Sequence, residues 1–265
     1  MQLKTLGFTN VFHFPVVDII TKNHFNQELI YENENKIRRL FKLLKDDESK
    51  QILFRVISYR VTKNLEHIRK ISSPDNMYFP EFITLNDNEV FVDIGAYNGD
   101  TVKAFLAKTN HLKSCVAIAF EPDEHNYQQL CNVYGSSRLT KCYNYAIYSE
   151  TNKIAFNCKG DQSSVDHAGN KIIDAITLDS FFDNRDKPTY IKMDVEGSEE
   201  QVLIGARKII SAFHPKLAIS IYHKSNDLWE IPLLIHSITK NYDFCIRHHS
   251  HNICDTVLYC LPKKL

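Results

Sequence analysis

VFVDIGAYNGDT (Val90–Thr101) is the stretch that decides the fold of this chain. Four apolar residues and one acid, Asp93, lead into Gly95 and Gly99, and the polar pair Asp100 and Thr101 follows as a helix opens. A buried strand that turns through glycine into a helix is the first unit of an open α/β sheet. Glycine at such a turn lets the backbone take positive φ or pass close to a ligand.

Downstream, the same rhythm repeats. The pattern predicts a helix from about Asp100 to Lys108, a strand at Cys115–Glu121, a helix from about Asp123 to Val133 and a strand near Cys142–Ile147. Residues Tyr148–Ala175 are polar with short alternating pieces, which predicts a β-excursion or loop. The βαβ rhythm resumes with TYIKMDV (Thr189–Val195), the helix SEEQVLIGARKIISAF and LAISIYH (Leu217–His223). DFCIRHHS and DTVLYCLP then flank a turn at His251 and Asn252, as an antiparallel hairpin would. The expected fold is α/β, a Rossmann-like and mostly parallel sheet with right-handed crossovers, closed by that hairpin.

Upstream, Ile37, Leu40, Phe41, Leu44, Ile52, Leu53, Val56 and Ile57 recur at helical spacing among charges. They predict two helices broken near Asp46–Ser49. ISSPDNMYFP (Ile71–Pro80) reads as a joint, so the division expected is a helical extension over 1–80 and a main domain over 81–265.

The 265 residues, 43% hydrophobic, suffice for a full core. Lys plus Arg and Asp plus Glu number 32 each, which offers no polyanion-binding field, and nucleic acid is not an expected partner. Seven scattered cysteines (115, 131, 142, 158, 245, 254, 260) contain no CxxC pair and read as reduced thiols of a cytoplasmic protein. MQLKTLGFTNVFHF lacks a signal-peptide core, and no apolar run approaches the roughly 18 to 20 residues of a membrane span.

A dinucleotide loop wants GxGxxG with a pyrophosphate on the helix N-terminus. Here the glycines stand G-xxx-G behind an acid, which suits a cationic ligand such as the amino group of S-adenosyl-L-methionine better than NAD. Glu121 ends CVAIAFEPDEHN at the neighbouring strand's carboxyl end, placed to accept two ribose hydroxyls. Asn144 and Ala146 would end the third strand beside an adenine edge. Asp194 and Glu196 end the next buried strand in KMDVEGSEEQVLIGA, and His223 ends LAISIYH. His223 is a candidate base with Asp194 as its partner or a direct acceptor; alternatively Asp194, Glu196 and His223 hold a divalent metal. RHHSHNIC (Arg247–Cys254) matches no standard zinc spacing and reads as a solvated or acceptor-contacting turn.

VFVDIGAYNGDT, AFEPDEHN, AITLDSFF, IKMDVEGSEEQVLIGA and LAISIYH together resemble the FkbM family of S-adenosylmethionine-dependent O-methyltransferases, over roughly Glu89–Pro262. The resemblance implies methylation of a hydroxyl on a sugar, polysaccharide or related metabolite. It implies a cofactor site of Asp93, Gly95, Ala96, Tyr97, Gly99, Asp100, Thr101, Glu121 and Pro122, with Asp194, Glu196 and His223 toward the acceptor. Many members carry an acid after the fifth strand, where this chain has Tyr222 and His223. The upstream helices look like the extension of polysaccharide-associated members. The readings that compete are a Rossmann oxidoreductase and a non-catalytic, methyltransferase-like binding protein; the four acids Asp93, Glu121, Asp194 and Glu196 together argue against the second.

Overall fold

A computed structural model describes residues 25–74, 76–157, 164–165 and 169–263. The leader-peptide reading of residues 1–14 and the thiol Cys158 lie outside them. The other six cysteines are free thiols, and no helix among the described residues is long and apolar enough to cross a membrane.

Four helices come first: α1 (Gln27–Glu32), α2 (Glu34–Leu43), α3 (Asp47–Thr62) and α4 (Glu66–Arg69). The break before α3 is a cap: Asp46 is extended, and its carboxylate accepts the Ser49 N–H. Arg247 pairs with the same carboxylate, so the cap ties α3 to the last hairpin. Of the apolar positions read in the sequence, Ile37, Leu40, Leu44, Ile52, Leu53, Val56 and Ile57 point inward and share one core cluster with the sheet residues Val92, Ile191 and Ile219, while Phe41 is exposed.

The remaining elements are β1 (Val90–Ile94), α5 (Asp100–Thr109), β2 (Val116–Phe120), α6 (Glu124–Tyr134), β3 (Thr140–Tyr143), β4 (Ala146–Ile147), β5 (Asn152–Asn157), β6 (Ser164–Val165), β7 (Lys171–Ile176), α7 (Leu178–Phe181), β8 (Tyr190–Met193), α8 (Glu199–Ile204), α9 (Arg207–Phe213), β9 (Lys216–Ser220), α10 (Asp227–Ile238), β10 (Tyr242–His248) and β11 (Thr256–Pro262). Seven strands form the main sheet in the order β10-β11-β9-β8-β1-β2-β3. All neighbours are parallel except β11, which runs antiparallel to both β9 and β10. The expected α/β sheet with its closing hairpin is therefore present. β1 is buried on both faces, Phe91 in one apolar cluster and Val92 and Ile94 in the other, which is why its sequence reads as a nearly continuous apolar run.

Three elements depart from the sequence reading. The strand expected near Cys142–Ile147 is two strands: β3 stops at Tyr143, and β4 pairs with β7 in a separate four-stranded sheet, β4-β7-β5-β6. The helix read across SEEQVLIGARKIISAF breaks at Gly205 and Ala206. Helix α10 was not anticipated, because DLWEIPLLIHSI is apolar nearly all round and carries Pro232, so no 3.6-residue stripe stands out.

The chain leaves β1 toward β2 and β3 on one side and returns to β8 on the other. That reversal opens a crevice beyond the carboxyl ends of β1 and β8, where open α/β sheets bind their ligands.

Candidate active site

A cavity of about 300 Å³ occupies this crevice, bordered among others by Gly95, Tyr97, Asp100, Thr101, Glu121, Pro122, Ala146, Lys192, Asp194 and Glu196. Its size is at the low end for small-molecule sites. Phe156 and Val165 of the small sheet also border it.

Both glycines of the first loop have positive φ, +78° at Gly95 and +85° at Gly99. A Cβ on Gly95 would stand 1.9 Å from the Asp194 carbonyl oxygen, and one on Gly99 2.5 Å from Tyr134 Cε2. Gly95 borders the cavity and also lets the loop close against the turn after β8. Gly99 instead seats α5 against α6, and the Tyr134 hydroxyl donates to its carbonyl at 3.2 Å. Ala96 is buried behind the loop with Phe91 and Phe105.

Glu121 is the hub of the glycine-loop side of the cavity. Its Oε2 accepts the Tyr97 N–H and its Oε1 the Asp123 N–H, each at 2.8 Å. Tyr97 reaches it from a left-handed backbone, φ 48°. Burial pushes the Glu121 pKa up to about 7, the two backbone donors opposing it. Asn144 does not border the cavity; its amide donates to the carbonyls of Glu121 (2.9 Å) and Pro122 (3.2 Å) and braces the turn that carries the acid.

Asp93 is placed otherwise than expected. Its side chain is 0% exposed and ion-paired at 2.9 Å with Lys192, its register partner on β8, and it is not among the residues that border the cavity. Burial raises its pKa to about 6 against the pull of Lys192. Lys192 also donates to the Gly95 carbonyl at 2.7 Å, locking the loop to β8. A lysine inside the apolar run YIKM was the available signal, since a buried charge requires a partner.

The acids after β8 meet groups from distant segments. Glu196 is left-handed (φ 52°), and Gly197 follows at φ 94°. The Tyr78 hydroxyl donates to Asp194 Oδ2 at 2.8 Å. His223 lies beyond the end of β9, its side chain 7% exposed, with Nε2 3.4 Å from Asp194 Oδ1 and 3.5 Å from Glu196 Oε1, and Nδ1 2.8 Å from Glu199 Oε1. Burial disfavours a charged ring there, but the Glu199 charge, helped by Glu196 and Asp194, holds His223 well above the ordinary imidazole pKa. Arg60 of α3, buried, donates to the carbonyls of Tyr222 and Ser225 on either side of the His223 loop.

Tyr78, Arg60, Lys192 and Glu199 were not singled out by the sequence reading. Tyr78 sat in the segment read as a joint, and the others carry no local signature beyond a charge in an apolar context.

RHHSHNIC is not a solvated turn over its first half. His248 and His249 are buried. His248 contacts Thr256 Oγ1 and the Asn252 carbonyl, while His249 contacts the Ser73 carbonyl and the Tyr259 hydroxyl. All four ring nitrogens are engaged in joining the hairpin to its own turn and to the segment before Tyr78, which leaves none for zinc.

A family profile described as the methyltransferase FkbM domain matches residues 93–246, more than half of the chain. The crystal structure of methyltransferase FkbM from Methylobacillus flagellatus is similar, with 31% sequence identity and a TM-score of 0.77. The match covers 88% of this chain and 60% of that one, so the chain spans about three fifths of that protein's length. Precorrin-6y C5,15-methyltransferase from Geobacter metallireducens (8% identity, TM-score 0.45, 74% of this chain and 95% of that one) and fibrillarin from Aeropyrum pernix (9%, 0.40, 66% and 67%) are more distant and carry no weight in the assignment. No curated protein sequence matches the chain. With the sheet order, the glycine loop and the acidic turn after β8 in place, the chain belongs to the FkbM methyltransferase family.

Proposed function

We propose that the protein transfers a methyl group from S-adenosyl-L-methionine to a hydroxyl of a sugar, polysaccharide or related metabolite. The observation that carries this reading is one cavity with Glu121 and the glycine loop on one wall and Asp194 and Glu196 on another.

The donor set fits the cofactor. Each Glu121 oxygen accepts one backbone N–H and keeps a second acceptor position for a ribose hydroxyl. With Asp93 closed off by Lys192, Asp100, exposed and bordering the same cavity, is the anionic partner for the amino-acid tail. When bound, the cofactor supplies a methyl group on a positively charged sulfur.

The chain's own residues position and activate the acceptor. Asp194 Oδ1 is buried without a hydrogen-bond partner, so it is available to accept an incoming O–H. Tyr78, bonded to the other oxygen, keeps that carboxylate oriented. Aligning the acceptor oxygen with the methyl carbon and excluding water supplies on the order of 7 to 11 kcal/mol of the barrier.

Calorimetric titration with S-adenosyl-L-methionine and, separately, NADH tests the cofactor half; binding of NADH alone would overturn it. Methyl transfer to a panel of sugar nucleotides and oligosaccharides tests the other half, and cofactor binding with no transfer to any hydroxyl would favour a non-catalytic role. Asp194→Ala and His223→Ala are expected to lower turnover about a hundredfold. Full activity in both would remove these residues from the acceptor site.

A further inference from the structure

We propose that Asp194, Glu196 and His223 bind one divalent cation, Mn²⁺ or Mg²⁺, at the acceptor end of the cavity. The inference deepens the methyl-transfer reading and rests on it for its catalytic meaning, while the binding itself is independently measurable.

The geometry is that of a ligand set. His223 Nε2 lies 3.4 Å from Asp194 Oδ1 and 3.5 Å from Glu196 Oε1, and the three ligand atoms stand within 4.8 Å of one another. Oxygen and nitrogen ligands about 2.1 to 2.4 Å from a shared ion stand roughly 3 to 3.5 Å apart. The three residues come from two segments, the turn after β8 and the loop after β9, which the parallel pairing of β8 with β9 brings side by side.

A second observation points to a ligand. The His223 side chain is 7% exposed, and neither ring nitrogen makes a hydrogen bond of normal geometry although Nε2 is aimed between the Asp194 and Glu196 carboxylates. Buried polar atoms are ordinarily satisfied. Its other nitrogen lies 2.8 Å from Glu199 Oε1, a buried carboxylate that also accepts the Val195 N–H. A carboxylate behind one ring nitrogen is the arrangement that orients the opposite nitrogen toward a metal.

Charge and access agree. Asp194, Glu196 and Asp255 border the same end of the cavity, and the lysine beside them, Lys192, is held by Asp93 and the Gly95 carbonyl. Asp194 and Glu196 side chains keep 22% and 33% exposure, which leaves positions on the cavity side for water or acceptor oxygens. Two carboxylates with one imidazole and no thiolate suit a hard or borderline cation. Such an ion beside an acceptor hydroxyl makes that hydroxyl more acidic and orients it.

The test uses the full chain, stripped with a chelator and titrated with MnCl₂, free Mn²⁺ being read by electron paramagnetic resonance. One Mn²⁺ per chain is expected, displaced by excess MgCl₂, with affinity at least tenfold weaker in Asp194→Asn and in Glu196→Gln, each checked for folding by circular dichroism. In the unaltered chain, Mn²⁺ is expected to broaden the His223 ring ¹⁵N resonances selectively, a readout that needs no variant to fold. Absence of Mn²⁺ binding, unchanged affinity in both folded variants, or unperturbed His223 resonances would overturn the site and leave the imidazole as a direct partner of the acids. Calorimetry with S-adenosyl-L-methionine on the same stripped protein separates the two readings: cofactor binding without Mn²⁺ binding removes only the metal site, and Mn²⁺ binding without cofactor binding removes only the methyl-transfer reading.

Discussion

Tyr78 and Asp194, 116 residues apart in the chain, meet in a 2.8 Å hydrogen bond inside the cavity wall. The tyrosine is itself clamped: its N–H donates to the Tyr259 hydroxyl, its carbonyl accepts from the Tyr190 hydroxyl, and its backbone is left-handed at φ 66°. Residue 78 lies ahead of the 93–246 span that matches the family profile, so a segment outside that span orients an acid within it. Tyr78→Phe is expected to lower kcat for methyl transfer about tenfold while leaving the cofactor Kd within about twofold, since one charge-assisted hydrogen bond is worth roughly 1.5 to 3 kcal/mol. Equal losses in kcat and cofactor affinity would show a general structural role instead.

Glu121 makes stability depend on pH in a stated direction. Its folded pKa of about 7 stands above the 4.5 of an unperturbed glutamate. The folded state therefore holds its proton longer than the unfolded one, and this contribution is fully present below pH 4.5 and lost as pH rises through 7. The shift corresponds to about 3 kcal/mol. The Tm of Glu121→Gln minus that of the unaltered chain, both without ligand, is expected to increase from pH 5 to pH 8. A difference that stays flat over that window would disprove the shift.

The Asp93–Lys192 pair is buried on both sides. Lys192→Met leaves a carboxylate in the core and is expected to cost about 3 to 5 kcal/mol in urea denaturation, whereas Asp93→Leu combined with Lys192→Met recovers most of it. A double variant no more stable than the single would mean that Lys192 acts mainly through its bond to the Gly95 carbonyl.

Arg60 holds the carbonyls of Tyr222 and Ser225 from α3. Arg60→Met is expected to destabilise the fold by roughly 2 kcal/mol and, by loosening the His223 loop, to cut turnover tenfold or more. Cofactor affinity measured by calorimetry is expected to stay unchanged, because the groups His223 meets, Asp194, Glu196 and Glu199, lie at the acceptor end of the cavity.

Much of the architecture was legible along the chain because it is local. The strand of VFVDIGAYNGDT, its glycine turn and the helix after it follow from apolar runs, positive-φ positions and helix-opening residues within a dozen positions. Glu121, Asp194 and Glu196 were legible for the same reason: each ends a buried strand, and in a parallel sheet those ends share one edge. The small sheet's claim on Ala146 and Ile147 was not legible, because a two-residue strand has no periodicity to read.

By itself, then, the sequence determined the alternation of strands and helices, the family, and which acids stand at the crevice, since these depend on neighbours in the chain and on a topology that parallel strands enforce. Only the tertiary structure decided what those groups face. It closed Asp93 with Lys192 across β1 and β8, set Gly99 against Tyr134 rather than a ligand, turned His248 and His249 inward, and brought Tyr78, Arg60 and Glu199 around Asp194 and His223. Those outcomes depend on burial and on partners as much as 176 residues away, and a side chain's charge and hydrogen bonding are set by the space it is folded into rather than by its position along the chain.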